Sequence, residues 1–499
     1  MKKSAIILLL MNLAACTTTS VGTSYPARID APQGSKVIFL TIDGTGNSQV
    51  SRTNAGRLFE LVDANSADRS VPLATYYAEG VGSRGQPLGL AIGQGMGRDV
   101  REAYDFLTRT YRTGGAGRES DRITLSGFSR GAYAVRILAG LVALAGIPDL
   151  SDREEEFRAH MVADLFAAYK IGGPASLADR NLLRMKRIRA VYDRYDVTMS
   201  AQPVRIRNLV LWDTVEALGL PDRRNDPTED VPHYFIETCN VDRVFHAMAI
   251  DDNRAFSFTP IFARTAHMID ACGGATPHVE EVWFAGAHAD VGGGYAPDRQ
   301  IDGFLSGVSL NWILDRLRDE GLFASNARVY EDRYGPIHDA KAYAAAYKIL
   351  TRYRRTPFAY EYRSIGVDSR PYVHISVLQR LLRLKELDAT FQNCVSKARV
   401  PRLLCAEELP SYGFLAEAVT PPPAPALPGA PRPIGKPCLY KSVKGYALEP
   451  GQQCLRVVCD SGVKESLSDF YCGLEESAEI RALLVRSPPE HGPGEPRTR

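Results

Sequence analysis

The sequence predicts an α/β fold, a mostly parallel sheet with helices on both faces. Three observations predict it. Short β-branched, apolar runs such as Val37-Ile38-Phe39-Leu40 have the pattern of strands buried on both sides. Stretches with helical spacing lie between them, so strands alternate with helices. Several runs then stop at a tight turn, as strands entering right-handed crossovers do. With 499 residues, 45% of them hydrophobic, the chain can bury a core in one large domain or two smaller ones.

Residues 36–42 form the first expected strand, ending at Asp43-Gly44-Thr45-Gly46. A second strand is expected over 72–78, closed by Gly80-Val81-Gly82. Gly93, Gly95 and Gly97 follow and are expected in a loop; as a phosphate cradle they have the wrong spacing and no strand before them. Residues 98–111 put Val100, Ala103, Tyr104 and Leu107 on one helical face. A short strand over 123–126 runs directly into Gly127-Phe128-Ser129-Arg130-Gly131, and a small-residue helix continues to Leu144. The charged stretch 152–183 is expected to be helical and part of a cap over the sheet. Two further strands, 204–212 and 279–285, end at Asp213-Thr214 and at Gly286-Ala287-His288.

The two ends of the chain have a different character. Lys2 and Lys3 precede Ile6-Ile7-Leu8-Leu9-Leu10 and then Leu13-Ala14-Ala15-Cys16. A positive start, a short apolar run and small residues before a break describe an export signal over 1–15. The run is far shorter than the roughly 18 apolar residues that a membrane-spanning helix needs. Leu-Ala-Ala-Cys resembles a bacterial lipobox, which implies a lipid on Cys16 and attachment to a membrane through it. Residues 16–35 then form a tether whose start, Thr17-Thr18-Thr19-Ser20, lacks an acidic residue. In that class of signals this favours the outer membrane, facing the periplasm or the cell surface. Residues 36–418 are the expected main domain, followed by a proline-rich linker over 419–437. Beyond it lie a small cysteine-rich C-terminal module (438–480), too small to hold together without staples, and a disordered tail (481–499).

Setting Cys16 aside leaves eight cysteines: Cys239, Cys272, Cys394, Cys405, Cys438, Cys454, Cys459 and Cys472. An even number fits disulfide pairing in an oxidising compartment, with connectivity open; no CxxC pair supports a zinc site. A formal net charge of +2 and the absence of a basic run argue against a nucleic-acid partner. No motif names a protein partner.

Gly127-x-Ser129-x-Gly131 has the pattern of a nucleophile elbow, in which a hydroxyl is held on a sharp strand-to-helix turn. The string alone is weak, because chance supplies on the order of 0.2 such matches in a chain with this much glycine. The strand before it and the helix after it supply the required context. A base and an orienting acid should sit at other strand ends. His288 and Asp213 do, and the chain order Ser, Asp, His is that of α/β-hydrolase-like folds. Taken singly, each has a plainer reading, the aspartate as a helix cap and the histidine as a structural group. Asp43 and Asp290 are rivals to Asp213. An oxyanion hole is expected from the backbone of Arg130 and of the Gly44-Thr45 turn. No metal or organic cofactor is expected.

These motifs together resemble a family. Asp43-Gly44-Thr45-Gly46-Asn47, Gly80-Val81-Gly82, the Ser129 elbow with Ala132, Asp213-Thr214-Val215-x-x-Leu218-Gly219 and the string from Trp283 to Tyr295 are similar to an α/β-hydrolase domain. That domain is shared with the type VI secretion phospholipase effectors, and the resemblance covers residues 36–385, with His374-x-Ser376-Val377 as a weaker late match. It implies Ser129 as nucleophile, Asp213 as acid, His288 as base, and a phospholipid or related ester as substrate. Asp251-Asp252-Asn253-Arg254 resembles a family segment that usually has glutamate in place of Asn253, and no role is assigned to it. The lipobox, the proline linker and the cysteine module depart from the family's secreted toxins. A binding or scaffold lipoprotein that keeps the fold without the activity is the alternative expectation.

Overall fold

The computed structural model describes residues 35–65, 72–80, 88–115, 119–172, 176–215, 233–254, 258–264, 277–295, 304–340 and 372–382. It also describes shorter stretches at 23–24, 268, 271–272, 355, 439–442, 445–448, 456–459 and 462–463. The expected signal and Cys16, Gly82, the proline linker and the tail lie outside the described residues, as do Cys394, Cys405, Cys438, Cys454 and Cys472.

Seven strands form a parallel sheet in the order β3-β2-β4-β5-β6-β7-β8. They are β2 (Val37–Ile42), β3 (Leu73–Ala78), β4 (Arg122–Phe128), β5 (Ile206–Trp212), β6 (Val241–Ala249), β7 (His278–Phe284) and β8 (Tyr372–His374). At one edge β1 (Thr23–Ser24) pairs antiparallel with β3, Thr23 opposite Tyr77 and Ser24 opposite Tyr76. At the other edge β11 (Arg456–Cys459) pairs parallel with β8 and antiparallel with β12 (Gly462–Val463). The hairpin of β9 (Leu439–Ser442) and β10 (Gly445–Leu448) forms a separate two-stranded sheet.

Alternation along each strand divides the core in two. In β2, Val37 and Phe39 pack in one cluster, while Ile38, Leu40 and Ile42 pack in the other. α1 (Asn54–Ala64) lies on the first face, beside α6 (His288–Gly292) and α7 (Ser306–Leu317). α2 (Leu88–Thr110) and α3 (Arg130–Ala145) cover the second. α3 holds small residues at Ala132, Ala134, Ala139 and Gly140, so its backbone can lie close to the sheet and to Phe235. A last helix, α8 (Ile375–Leu382), follows β8 directly.

The chain turns from β2 outward to β3, then returns past β2 to β4. The strand order therefore reverses between β2 and β4, which is where ligands bind in open α/β sheets. Gly44 follows one of these strands and Ser129 the other.

Three differences from the sequence reading have physical reasons. β6 was not expected, because Asp242, Arg243 and His246 interrupt its apolar pattern. His246 is buried there with both ring nitrogens partnered, Nδ1 2.9 Å from Glu281 and Nε2 accepting from Thr214 N–H at 3.1 Å. α2 starts ten residues earlier than expected, so Gly93, Gly95 and Gly97 are helical and form no loop; tertiary packing overrides glycine's poor propensity. The charged stretch after α3 becomes two helices, α4 (Glu155–Tyr169) and α5 (Leu177–Tyr195), which pack on each other and on α2 and α3. Arg184 fastens them by donating to the carbonyls of Tyr169 and Ile171, and Tyr192 donates to Ala145 O at 2.6 Å. Cys239 and Cys272 form a disulfide.

Candidate active site

Ser129 stands between β4 and α3 with φ +57° and ψ −123°, a conformation L-residues rarely adopt. Such strain costs on the order of 1–3 kcal/mol and persists only where the surroundings impose it. They do so here. A Cβ on Gly127 would lie 2.6 Å from Gly131 O, and one on Gly131 would lie 2.2 Å from Ile42 O. The two glycines of the motif let α3 leave β4 at this angle and abut β2.

Folding brings three distant side chains into one hydrogen-bonded row. Ser129 Oγ is 2.7 Å from His288 Nε2, and His288 Nδ1 is 2.5 Å from Asp213 Oδ2. An ionised carboxylate only accepts, so Nδ1 carries the ring proton and Nε2 is left to accept from the serine hydroxyl. All three groups are buried, and Phe128 and Phe258 flank the imidazole with ring centroids at 4.7 and 5.1 Å.

The electrostatics assign charges within the row. Burial alone would raise the Asp213 carboxyl, but Arg355 beside it and the bond from His288 outweigh this and hold it at about 2. Burial pushes the His288 imidazole below its ordinary value against the opposing pull of Asp213, and Arg254 adds to the lowering. At neutral pH the pair is therefore carboxylate and neutral imidazole, the combination a general base requires.

The sequence reading missed the group that secures Asp213. Arg355 Nη1 donates to Asp213 Oδ1 at 2.6 Å and to Ala249 O at 2.8 Å, and its Nη2 donates to Phe258 O. Both Arg355 and Asp213 are fully buried. Ala249 N–H completes the hold on the carboxylate at 2.9 Å. The arginine is 142 residues from Asp213 in sequence, and no local motif announces it.

The segment Asp251-Asp252-Asn253-Arg254 holds the backbone that carries His288. Asp251 accepts from Gly286 N–H at 2.7 Å, and Asp252 accepts from His288 N–H at 3.2 Å. Arg254 grips Asp252 through Nε and Nη2 at 3.2 and 2.7 Å and lies over the Phe258 ring at 3.5 Å. Burial opposes ionisation of Asp252, but Arg254 more than compensates and its carboxyl falls below the usual range. Asn253 donates to Asp339 at 2.6 Å.

Neither rival acid reaches His288 by any hydrogen bond drawn from its carboxylate. Asp290 accepts from Ala287 N–H and from the backbone of His338, and lies 2.5 Å from His338 Nδ1. Asp43 accepts from Thr53 Oγ1, Tyr77 Oη and Gly44 N–H, each at 2.6 Å, and burial raises it to about 6 despite those bonds. Asp43 thus adjoins the turn expected to contribute to the oxyanion hole. The Gly44–Thr45 turn does lie against the serine, since a Cβ on Gly44 would come within 3.3 Å of Ser129 Cβ. The Gly44 N–H is committed to Asp43. Arg130 opens α3, where first-turn N–H groups have no partner within the helix.

A model of the family described as T6SS phospholipase effector Tle1-like, catalytic domain, matches residues 36–316. An uncharacterised protein of Saccharomyces cerevisiae is 54% identical over 39 residues, which are 8% of this chain and 6% of that protein's length. Among solved structures, an uncharacterised protein from Pseudomonas aeruginosa is 15% identical, with 77% of this chain and 62% of that chain covered and a TM-score of 0.33. A butyrate-bound esterase of Thermogutta terrifontis is 17% identical, with 61% and 90% covered and a TM-score of 0.31. A carboxylesterase of Lactobacillus plantarum is also 17% identical, with 59% and 89% covered and a TM-score of 0.29.

Proposed function

Since the chain belongs to the Tle1-like phospholipase effector family through its catalytic domain, we propose that it is a serine ester hydrolase that cleaves a phospholipid or a related ester. The observation that carries this reading is the row Ser129–His288–Asp213, with both ring nitrogens of His288 engaged.

In this reading the Ser129 hydroxyl attacks the ester carbonyl as its proton passes to His288 Nε2. Asp213 stabilises the resulting imidazolium and takes no proton. The carbonyl oxygen, now an anion, accepts from the N–H groups of Arg130 and Thr45. As the intermediate collapses, the bond to the leaving alcohol breaks and His288 returns the proton to that oxygen. A water then repeats the sequence on the acyl-serine, releasing the acid and restoring Ser129.

The same proposal includes a lipid on Cys16 and residence at the outer membrane facing the periplasm. Leu13-Ala14-Ala15-Cys16 supports the anchor, and the Cys239–Cys272 disulfide supports an oxidising compartment. Substituting Ser129→Ala should abolish turnover of phospholipid vesicles and of short-chain esters while leaving the melting temperature near that of the unsubstituted chain. A fluorophosphonate probe should label Ser129 alone. Undiminished hydrolysis by the alanine variant would refute the mechanism.

A further inference from the structure

Four large apolar side chains are exposed among the described residues: Val50, Leu182, Leu183 and Tyr330. All of them belong to segments at or near the end of the molecule where the strands deliver Ser129, Asp213 and His288. Val50 lies in the turn between Gly44 and Thr53, and Thr53 bridges Gly293, just past α6. Tyr330 packs edge-on to Phe304, immediately before the start of α7, where Asn54 ties Val291 O to Ser306 O. Leu182 and Leu183 lie in the second turn of α5.

The first turns of α5 are fixed to that same end. Tyr133, one turn into α3 from Ser129, meets Tyr234 edge-on, and Tyr234 packs on Tyr169 at the end of α4. Arg184 then binds α5 to the Tyr169 carbonyl at 3.0 Å.

The outer face of α5 has a definite chemistry. Positions 182, 186 and 189 follow one helical line and 183, 187 and 190 the next, so they form a single stripe. Leu182 is 70% and Leu183 40% exposed. Lys186, Arg187 and Arg189 are exposed as well, and among the described residues none has an ion-pair partner. Asp179 and Asp193 bound the stripe, and between them the helix holds cations and no carboxylate. At the opposite end of the sheet the cations are compensated instead: Arg122, Arg207 and Arg243 converge on Glu320, and Arg205 pairs with Asp242.

We propose that this face of α5 docks on an anionic phospholipid bilayer, with its leucine end nearest the catalytic end. Exposed leucines beside uncompensated lysine and arginine are the composition of a helix that lies in a membrane interface. The charge complements anionic headgroups, whereas the paired charges at the far end offer them little. The purpose of docking rests on the hydrolase reading, but the binding itself does not.

The test uses the full chain with Cys16→Ser, so that no acyl group contributes, and with Ser129→Ala, so that binding is read without turnover. It is compared with the same chain bearing Leu182→Ser and Leu183→Ser, or Lys186→Glu, Arg187→Glu and Arg189→Glu. Co-sedimentation with phosphatidylglycerol-containing vesicles should fall about tenfold or more in either variant, since each basic side chain near such a surface contributes about fivefold to partitioning. Binding should also fall in vesicles of phosphatidylcholine alone and at high salt. Melting temperature should not change, nor hydrolysis of a soluble short-chain ester when Ser129 is restored. Equal binding by the variants, binding indifferent to phosphatidylglycerol, or a self-associated dimer lost in the variants without vesicle binding would overturn the proposal. Vesicle binding through this face by a chain that hydrolyses no ester would leave docking intact and remove the hydrolase reading.

Discussion

At the residue scale, Arg355 makes the site both possible and acid-sensitive. A buried carboxylate bonded on one side to imidazole and on the other to guanidinium is stable only while the guanidinium stays. The Asp213 carboxyl is depressed to about 2, below its usual 3.8, so its ionisation favours the folded state above pH 4. That contribution is lost as pH falls from about 4 to 2. Arg355→Met should cost roughly 3–5 kcal/mol of stability at neutral pH, and because burial then raises the Asp213 carboxyl the deficit should shrink as pH falls, as denaturant titrations across pH would show. Arg254 likewise lowers the pKa of its neighbour, His288, but there the effect disfavours the charged form. Removing it with Arg254→Met leaves Asp252 uncompensated beside the imidazole, so the His288 pKa should rise. The acid limb of kcat/KM should then shift upward in pH, while a change that merely loosened the fold would lower the rate without displacing the limb.

Asp43 behaves oppositely to Asp213. Its folded value of about 6 exceeds the ordinary 3.8, so its ionisation opposes folding as pH rises through that range, by on the order of 3 kcal/mol in full. Asp43→Asn keeps an acceptor for Thr53 and Tyr77 and removes the charge. Its melting temperature at pH 7 should equal or exceed that of the unsubstituted chain, and its stability should no longer fall between pH 4 and 6. Calorimetry at several pH values checks this.

At the element scale, a strand that ends in a functional turn was legible, and a strand that carries charge inside was not. β2, β4 and β5 are mostly apolar runs, and β7 closes on one (Val282-Trp283-Phe284) despite Glu280 and Glu281; their last residues lead into Gly44, Ser129, Asp213 and His288, so period and turn chemistry together placed all four. β6 escaped because its central polar residues are satisfied by partners from elsewhere, Glu281 for His246 and Glu320 for Arg243. Arg355 escaped for the same reason: only folding reveals that its charge is shared with Asp213. The disulfide belongs to this scale too. Cys239 precedes β6 and Cys272 lies beyond the 251–254 segment, so the bond closes a 33-residue span that contains both. Loop-closure entropy assigns such a link about 4 kcal/mol. Cys239→Ser with Cys272→Ser should lower the melting temperature, and reductant should lower that of the native chain but not of the variant.

At the scale of the whole molecule, the direction of one two-residue strand sets how the protein would be moored. β3 runs toward the end that bears Ser129, and β1 lies antiparallel to it, with Thr23 opposite Tyr77 near the close of that strand. Thr23 itself therefore stands at the catalytic end of this edge. From Cys16 to Thr23 there are seven steps, a leash of at most about 25 Å when taut. An acyl chain on Cys16 would hold the mouth of the enzyme against the headgroups on this short line, and slack spliced in ahead of Thr23 should slow hydrolysis of the host bilayer while leaving a dissolved ester untouched.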